Sequence, residues 1–104
     1  MVVYFKTEEL KTLYETPLDE LRGKRKIPTE VIKKYKQRII TLLETNRLEE
    51  LRGHRGLNFE FLKGDFKGQC SIRLNDQYRL ILTPLDDKKV QVVLINEISK
   101  HYDD

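Results

Sequence analysis

Apolar positions recur along this chain with two different periods, and the change between them falls near Gly56. Before that glycine the spacing is mostly helical. Val2–Phe5 is a short β-prone run, after which Thr7 stands as an N-cap before Glu8 and Glu9, whose charges suit a helix start. Leu10, Leu13 and Tyr14 mark one face of that short helix, and Pro17 ends it. A basic loop, Leu21–Lys26, leads to a main helix that Thr29 is expected to cap. Ile32, Tyr35, Ile39, Leu42 and Leu43 follow the spacing of one apolar face, with Lys33, Lys34, Lys36 and Arg38 on the remainder. Asn46 and Glu49 read as a capping-box pair for a second short helix, with Leu48 and Leu51 facing inward and Gly53 closing it.

After Gly56 the period shortens. LNFEFL, QCSIRLN, QYRLILT and VQVVLINEI alternate or run apolar at strand length, broken by KGDFKG, ND and PLDDKK. Strands joined by such short turns form an antiparallel meander. Helices followed by a meander predict an α+β fold, its N-terminal helices packed on one face of a twisted antiparallel β-sheet. The other face is then partly open to solvent. With 104 residues, no repeat and no linker, one domain spanning residues 1–104 is expected. Such a domain has no room for a large internal pocket, so a site belongs in a surface groove.

The central hairpin allows two registers. A two-residue loop pairs Ile72 with Arg79 and mixes the faces. A three-residue loop, Asn75–Asp76–Gln77, pairs Leu74 with Tyr78, Arg73 with Arg79 and Ile72 with Leu80. It gathers Ile72, Leu74, Tyr78, Leu80 and Leu82 on one apolar face, and a buried face specifies register strongly. The three-residue loop is therefore expected. Arg73 and Arg79 become cross-strand neighbours on the opposite face, a like-charged pair that needs an anion or an acid to compensate it. The arginine fork suits a phosphate or a developing phosphorane. Compensation by Glu60, Asp65 or solvent is the structural alternative.

Charge sharpens this picture more by distribution than by amount. Twenty Lys and Arg against seventeen Asp and Glu leave only +3, weak evidence by itself for a polyanionic partner. From Arg22 to Arg38, however, Arg22, Lys24, Arg25, Lys26, Lys33, Lys34, Lys36 and Arg38 face a single acid, Glu30. A second cluster joins Arg52, Arg55, Lys63, Lys67, Arg73 and Arg79. Such stripes fit phosphate binding, or simply a solvated surface. Cys70 is the only cysteine, which excludes an intrachain disulfide and points to the reducing cytoplasm. Zinc spacing is absent, the N-terminal stretch has no leader pattern, and no apolar run reaches the length of a membrane span, so no metal, cofactor or membrane association is expected.

His54 and His101 are the only side chains whose ordinary titration lies near neutrality. Cleavage of RNA without metal needs a base for the 2′-hydroxyl and an acid for the 5′-oxygen, roles that either histidine fits. Tyr102 could stack on a base, share in proton transfer, or anchor the chain end. Lys63 and Lys67 flank a turn from which they could hold a phosphate backbone.

The stretch Phe61–Leu82, FLKGDFKGQCSIRLNDQYRLIL, is similar to a pattern L-K-G-D-x-K-G, then S-I-R-x-N-x-Q-[WY]-R, then apolar residues. The opening FKTEELKTLYET, followed by RKIP and a long helix ending in LE-LR, fits the same pattern. On these motifs the chain resembles the HigB-type toxins of the RelE superfamily, killer components of type II toxin–antitoxin pairs. The resemblance covers nearly the whole chain. It implies ribosome-dependent, metal-independent cleavage of mRNA by 2′-hydroxyl attack, leaving a cyclic phosphate. It also implies a HigA-like helix-turn-helix antitoxin as partner, with operator DNA reached only through that antitoxin. By motif, Lys63, Arg73 and Arg79 would face the RNA, and His54 lies where some members carry a catalytic histidine. Many members end in Asp-Tyr-His, whereas this chain reads Lys100-His101-Tyr102, which replaces the Asp and reverses the other two.

Two other functions remain open at this level. The ParE branch shares the fold but poisons DNA gyrase and has no need of acid–base groups. A degenerate toxin would serve only as antitoxin partner and co-repressor. A DNA-damage response on induction would mark the former, and absence of growth arrest the latter.

Overall fold

The computed structural model describes residues 1–21, 26–85 and 89–100. Arg22, Lys24, Arg25, His101 and Tyr102, singled out above, lie outside the described residues. Five strands form one sheet: β1 (Val2–Phe5), β2 (Glu60–Phe61), β3 (Cys70–Arg73), β4 (Tyr78–Leu85) and β5 (Val92–Lys100). Their order is β1-β5-β4-β3-β2. The meander β2 to β5 is antiparallel as expected, and β1 adds a parallel edge strand beside β5. Helices α1 (Glu8–Glu15) and α2 (Thr29–Glu44) cover one face, so the fold is α+β with a mixed sheet.

The α2 stripe of Val31, Tyr35, Ile39 and Leu42 is buried in one cluster with Ile72, Leu74, Leu80, Leu82, Val93 and Ile95, and Ile32 of the same helix is buried too. Burying each aliphatic side chain is worth roughly 1.5–3 kcal/mol, so α2 holds the layer. Leu43, expected on the same stripe, is 46% exposed. It lies one position past Leu42, whose side chain takes the core-facing place in the last turn of α2. Val31 takes its place at the other end. The helix starts one residue earlier than expected: Pro28 is the N-cap, its extended carbonyl accepting from Val31 at 3.0 Å and Ile32 at 3.1 Å, and Thr29 is the first helical residue.

Helix α1 has no fully buried residue and depends on ties. Thr7 caps it as expected, accepting from the Leu10 N–H at 3.2 Å. The Tyr35 hydroxyl donates to the Leu10 carbonyl at 2.7 Å, and the Lys36 ammonium donates to the carbonyls of Tyr14 at 2.8 Å and of Thr16. Burial lowers the Lys36 pKa and pushes that of Tyr35 well above the ordinary phenol value, the latter with a smaller contribution from Tyr14.

Leu48 and Leu51 are buried, but their segment, Leu48–Gly53, is 3₁₀, and its N-terminal box is displaced by one residue. The Glu50 carboxylate, not Glu49, accepts from the N–H groups of Asn46 at 3.2 Å and Arg47 at 3.4 Å. The expected strand LNFEFL shortens to Glu60–Phe61 because Gly56 and Asn58 turn the backbone left-handed, at φ 84° and 44°. Leu57 is nonetheless held, its carbonyl accepting from the Arg73 N–H at 2.7 Å. No helix among the described residues is long and apolar enough to cross a membrane.

Candidate functional site

The hairpin closes in the expected register. Arg73 pairs with Arg79 and Ile72 with Leu80, while Leu74 N–H donates to the Tyr78 carbonyl at 2.9 Å. The Asn75 side-chain oxygen accepts from Gln77 and Tyr78, each at 2.8 Å, and fixes the turn. Arg73 and Arg79 therefore stand side by side on the face away from the helices.

Strand pairing extends this into two rows across the open face. One runs Glu60, Ser71, Ile81, Glu97, and the other Arg73, Arg79, Ser99. A groove of about 310 Å³ lies over them, with Glu60, Ser71, Arg79, Glu97, Ser99 and Lys100 as its polar lining and Leu62, Phe66 and Ile81 as its apolar wall. Arg79 is anchored within it, donating to Ser71 Oγ at 3.0 Å and to the Asn58 carbonyl at 3.2 Å. Ser71 is only 1% exposed, so this hydroxyl is a fixed support rather than a mobile surface group.

Arg73 is compensated from its own turn, through an ion pair with Asp76 rather than with Glu60 or Asp65. Its carbonyl, left without a strand partner where β2 stops, accepts from Arg38 Nε at 3.2 Å. Burial, and to a lesser extent the charge of Arg73, lower the Arg38 pKa. Arg38 and Arg73 thus meet at this end of the hairpin with Asp76 as a local counter-charge, while the Arg79 guanidinium is held by Ser71 and Asn58.

His54 occupies a different depression. A neighbouring basin of about 600 Å³ is lined by Arg52, His54, Arg55, Asn58, Phe59, Glu60, Phe61 and Lys63. It shares Glu60 with the groove, and Asn58 links the two through its bond to Arg79. Lys63 borders the basin, while Lys67, exposed at the end of the turn Gly64–Phe66, lines neither depression. His101 and Tyr102 lie outside the described residues, although Lys100, which precedes them in sequence, lines the groove. Among the described residues no three His, Cys, Asp or Glu side chains gather as a metal site.

Ser71, Glu97 and Ser99 are groove residues that sequence reasoning missed. Val93 and Ile95 face the core, so simple alternation sends Glu97 inward with them. A bulge reverses it: Leu82 pairs with Ile95 but Ile81 pairs with Glu97, which leaves Asn96 as the extra residue. The Asn96 side-chain oxygen accepts from the Thr83 hydroxyl at 2.7 Å. The only sequence signal is the polar pair Asn96–Glu97 interrupting an apolar strand, followed by Ile98 back on the core side.

Comparison with known families matches residues 3–96 to the HigB-like toxin model, the RelE-like toxin of type II toxin–antitoxin system HigB. Toxin HigB-1 of Vibrio cholerae serotype O1 is 37% identical over 86 residues, covering 83% of this chain and 86% of that relative. Among solved structures, a YoeB/ParE toxin from Agrobacterium tumefaciens superposes with a TM-score of 0.61 at 18% identity, over 98% of this chain and all of the other. A YoeB–YefM complex from Staphylococcus aureus matches with a TM-score of 0.50 at 22% identity and 98% coverage of each chain. At these identities the two structures establish a common fold.

Proposed function

The chain belongs to the HigB-like family, the RelE-like toxins of type II toxin–antitoxin systems, and from that premise we propose that it is a metal-independent mRNA endoribonuclease acting at the ribosome. The observation that carries this reading is the anchored Arg79 guanidinium in a groove that also holds two carboxylates, Glu60 and Glu97. A base in the groove takes the 2′-hydroxyl proton, the freed oxygen attacks the adjacent phosphorus, and the 5′-oxygen leaves with a proton from an acid. The products are a 2′,3′-cyclic phosphate and a 5′-hydroxyl. Arg79, with Arg73 beside it, stabilises the charge that builds on the phosphorane. Glu60 and Glu97 are the bases that the groove itself contains. His101 is the acid suggested by the family resemblance, with Tyr102 beside it in sequence, and His54, Lys63 and Lys67 hold the RNA backbone on the flank.

The YoeB of the Staphylococcus aureus complex is bound to YefM, and a cognate antitoxin is the expected partner here, of the HigA-like helix-turn-helix kind by family resemblance. Operator DNA is then reached only through that antitoxin. Action at the ribosome places the protein in the cytoplasm.

Induction of the chain alone in a bacterium, followed by primer extension on abundant mRNAs, tests the activity. Cuts at codon-related positions are expected in the wild type and absent in His101→Ala. Cuts that survive in His101→Ala but vanish in His54→Ala would move the acid–base role to the basin. Growth arrest with intact mRNA, accompanied by a DNA-damage response, would overturn the ribonuclease reading in favour of a gyrase poison.

A further inference from the structure

The basin beside the groove combines three features that the cleavage step does not use. Phe61 is 44% exposed although it pairs with Cys70, whose side chain is fully buried. The Arg52 guanidinium carbon lies over the Phe61 ring, 5.3 Å from its centroid, and Phe59 meets the same ring edge-on at 5.2 Å and 77°. Around this stack the basin wall carries Arg55 and Lys63, both exposed. An aromatic ring layered with a guanidinium plane and bordered by cations is the combination that receives an unpaired base and its phosphate. An edge strand that needed only apolar cover would be served by an aliphatic residue, without the cationic ring.

We propose that this basin is a nucleotide subsite: it stacks the base of a nucleotide flanking the cleaved phosphodiester on the Phe61–Arg52 layer, with Lys63 and Arg55 against its phosphate. The inference rests on the ribonuclease reading and extends it to the path of the strand. Continuity supports that path. Glu60 borders both depressions, and the Asn58 carbonyl at the basin wall accepts from Arg79, so the basin and the groove adjoin across the edge strand β2, round which a single strand would pass. Recognition by stacking tolerates any base, because every base presents a π-face. The subsite therefore sets affinity and strand position, while base preference is decided elsewhere.

The test uses a short single-stranded RNA, 2′-O-methylated against cleavage and carrying 2-aminopurine at successive positions, titrated against the full chain. With wild type, emission is expected to be quenched at one position flanking the Arg79-bound phosphate. Phe61→Leu keeps the apolar contact but loses the ring, and should abolish that quench and weaken binding roughly tenfold, independent of base identity. Phe61→Trp should restore both. Arg79→Ala should weaken binding yet retain the quench. Equal quench and affinity in Phe61→Leu and wild type, at unchanged melting temperature, would overturn the subsite alone. Failure of the wild type to bind the RNA saturably would overturn the subsite, whereas the ribonuclease reading is overturned separately by absence of cleavage on programmed ribosomes.

Discussion

Arg73 and Arg79 are like-charged neighbours that the strand pairing brings together, and they are not equivalent. Arg79 is oriented by the buried Ser71 hydroxyl and the Asn58 carbonyl, both neutral acceptors, so its charge remains available to an anion. Arg73 is partly neutralised by Asp76, which is itself 89% exposed. Exposed pairs of this kind add at most about 1 kcal/mol. Asp76→Asn should therefore leave the melting temperature nearly unchanged while tightening single-stranded RNA binding at low salt, measurable by fluorescence anisotropy; weaker binding would contradict the assignment of Arg73 to the RNA. Cys70 offers a separate check on the core. Burial pushes its thiol up to about 11 from an ordinary value of 9.0. Below pH 9 the thiol is neutral in both folded and unfolded chains. Between pH 9 and about 11 only the unfolded chain ionises readily, so stability should fall as pH rises through that window. Thermal melts of Cys70→Val should show a shallower loss over the same range.

The elements differ in how much they owe to local pattern. The hairpin was legible because only one register buries Ile72, Leu74, Tyr78, Leu80 and Leu82 together, and the same choice placed the two arginines. Its turn rests on Asn75, and Asn75→Ala should cost about 1 kcal/mol in denaturant unfolding through the lost side-chain bonds. Helix α1 is likewise held by few contacts: Tyr35→Phe removes its bond to Leu10 and should cost about 1 kcal/mol. Hydrogen exchange should show the loosening concentrated in residues 8–15. What alternation could not reveal was the bulge at Asn96, since a one-residue insertion shows no trace in composition yet turns Glu97 from the core side to the groove. Deleting Asn96 should restore plain alternation, with Glu97 still opposite Ile81 on the groove side, and cost about 1 kcal/mol in denaturant unfolding through the lost Thr83 bond. The shortening of β2 was hidden for a related reason: Asn58 sits in the middle of an apolar alternation, and its left-handed backbone is a tertiary choice made with Gly56 and Arg73.

Over the whole molecule, function follows from an unequal use of the sheet. One face is consumed by α2 and the core, and the other carries an anchored cation and two carboxylates, with an aromatic basin adjoining them at the edge strand β2. A net charge of only +3 is enough because the cations are concentrated where a phosphate backbone would run. Arg79 is the residue on which the proposed chemistry most depends. The deciding measurement is the cleavage rate of mRNA on programmed ribosomes by purified wild type and Arg79→Ala. Loss of about 10²–10³-fold in Arg79→Ala, at an unchanged fold, is predicted for a guanidinium that stabilises the phosphorane. Equal rates for the two proteins would contradict it and remove the open face from the chemistry.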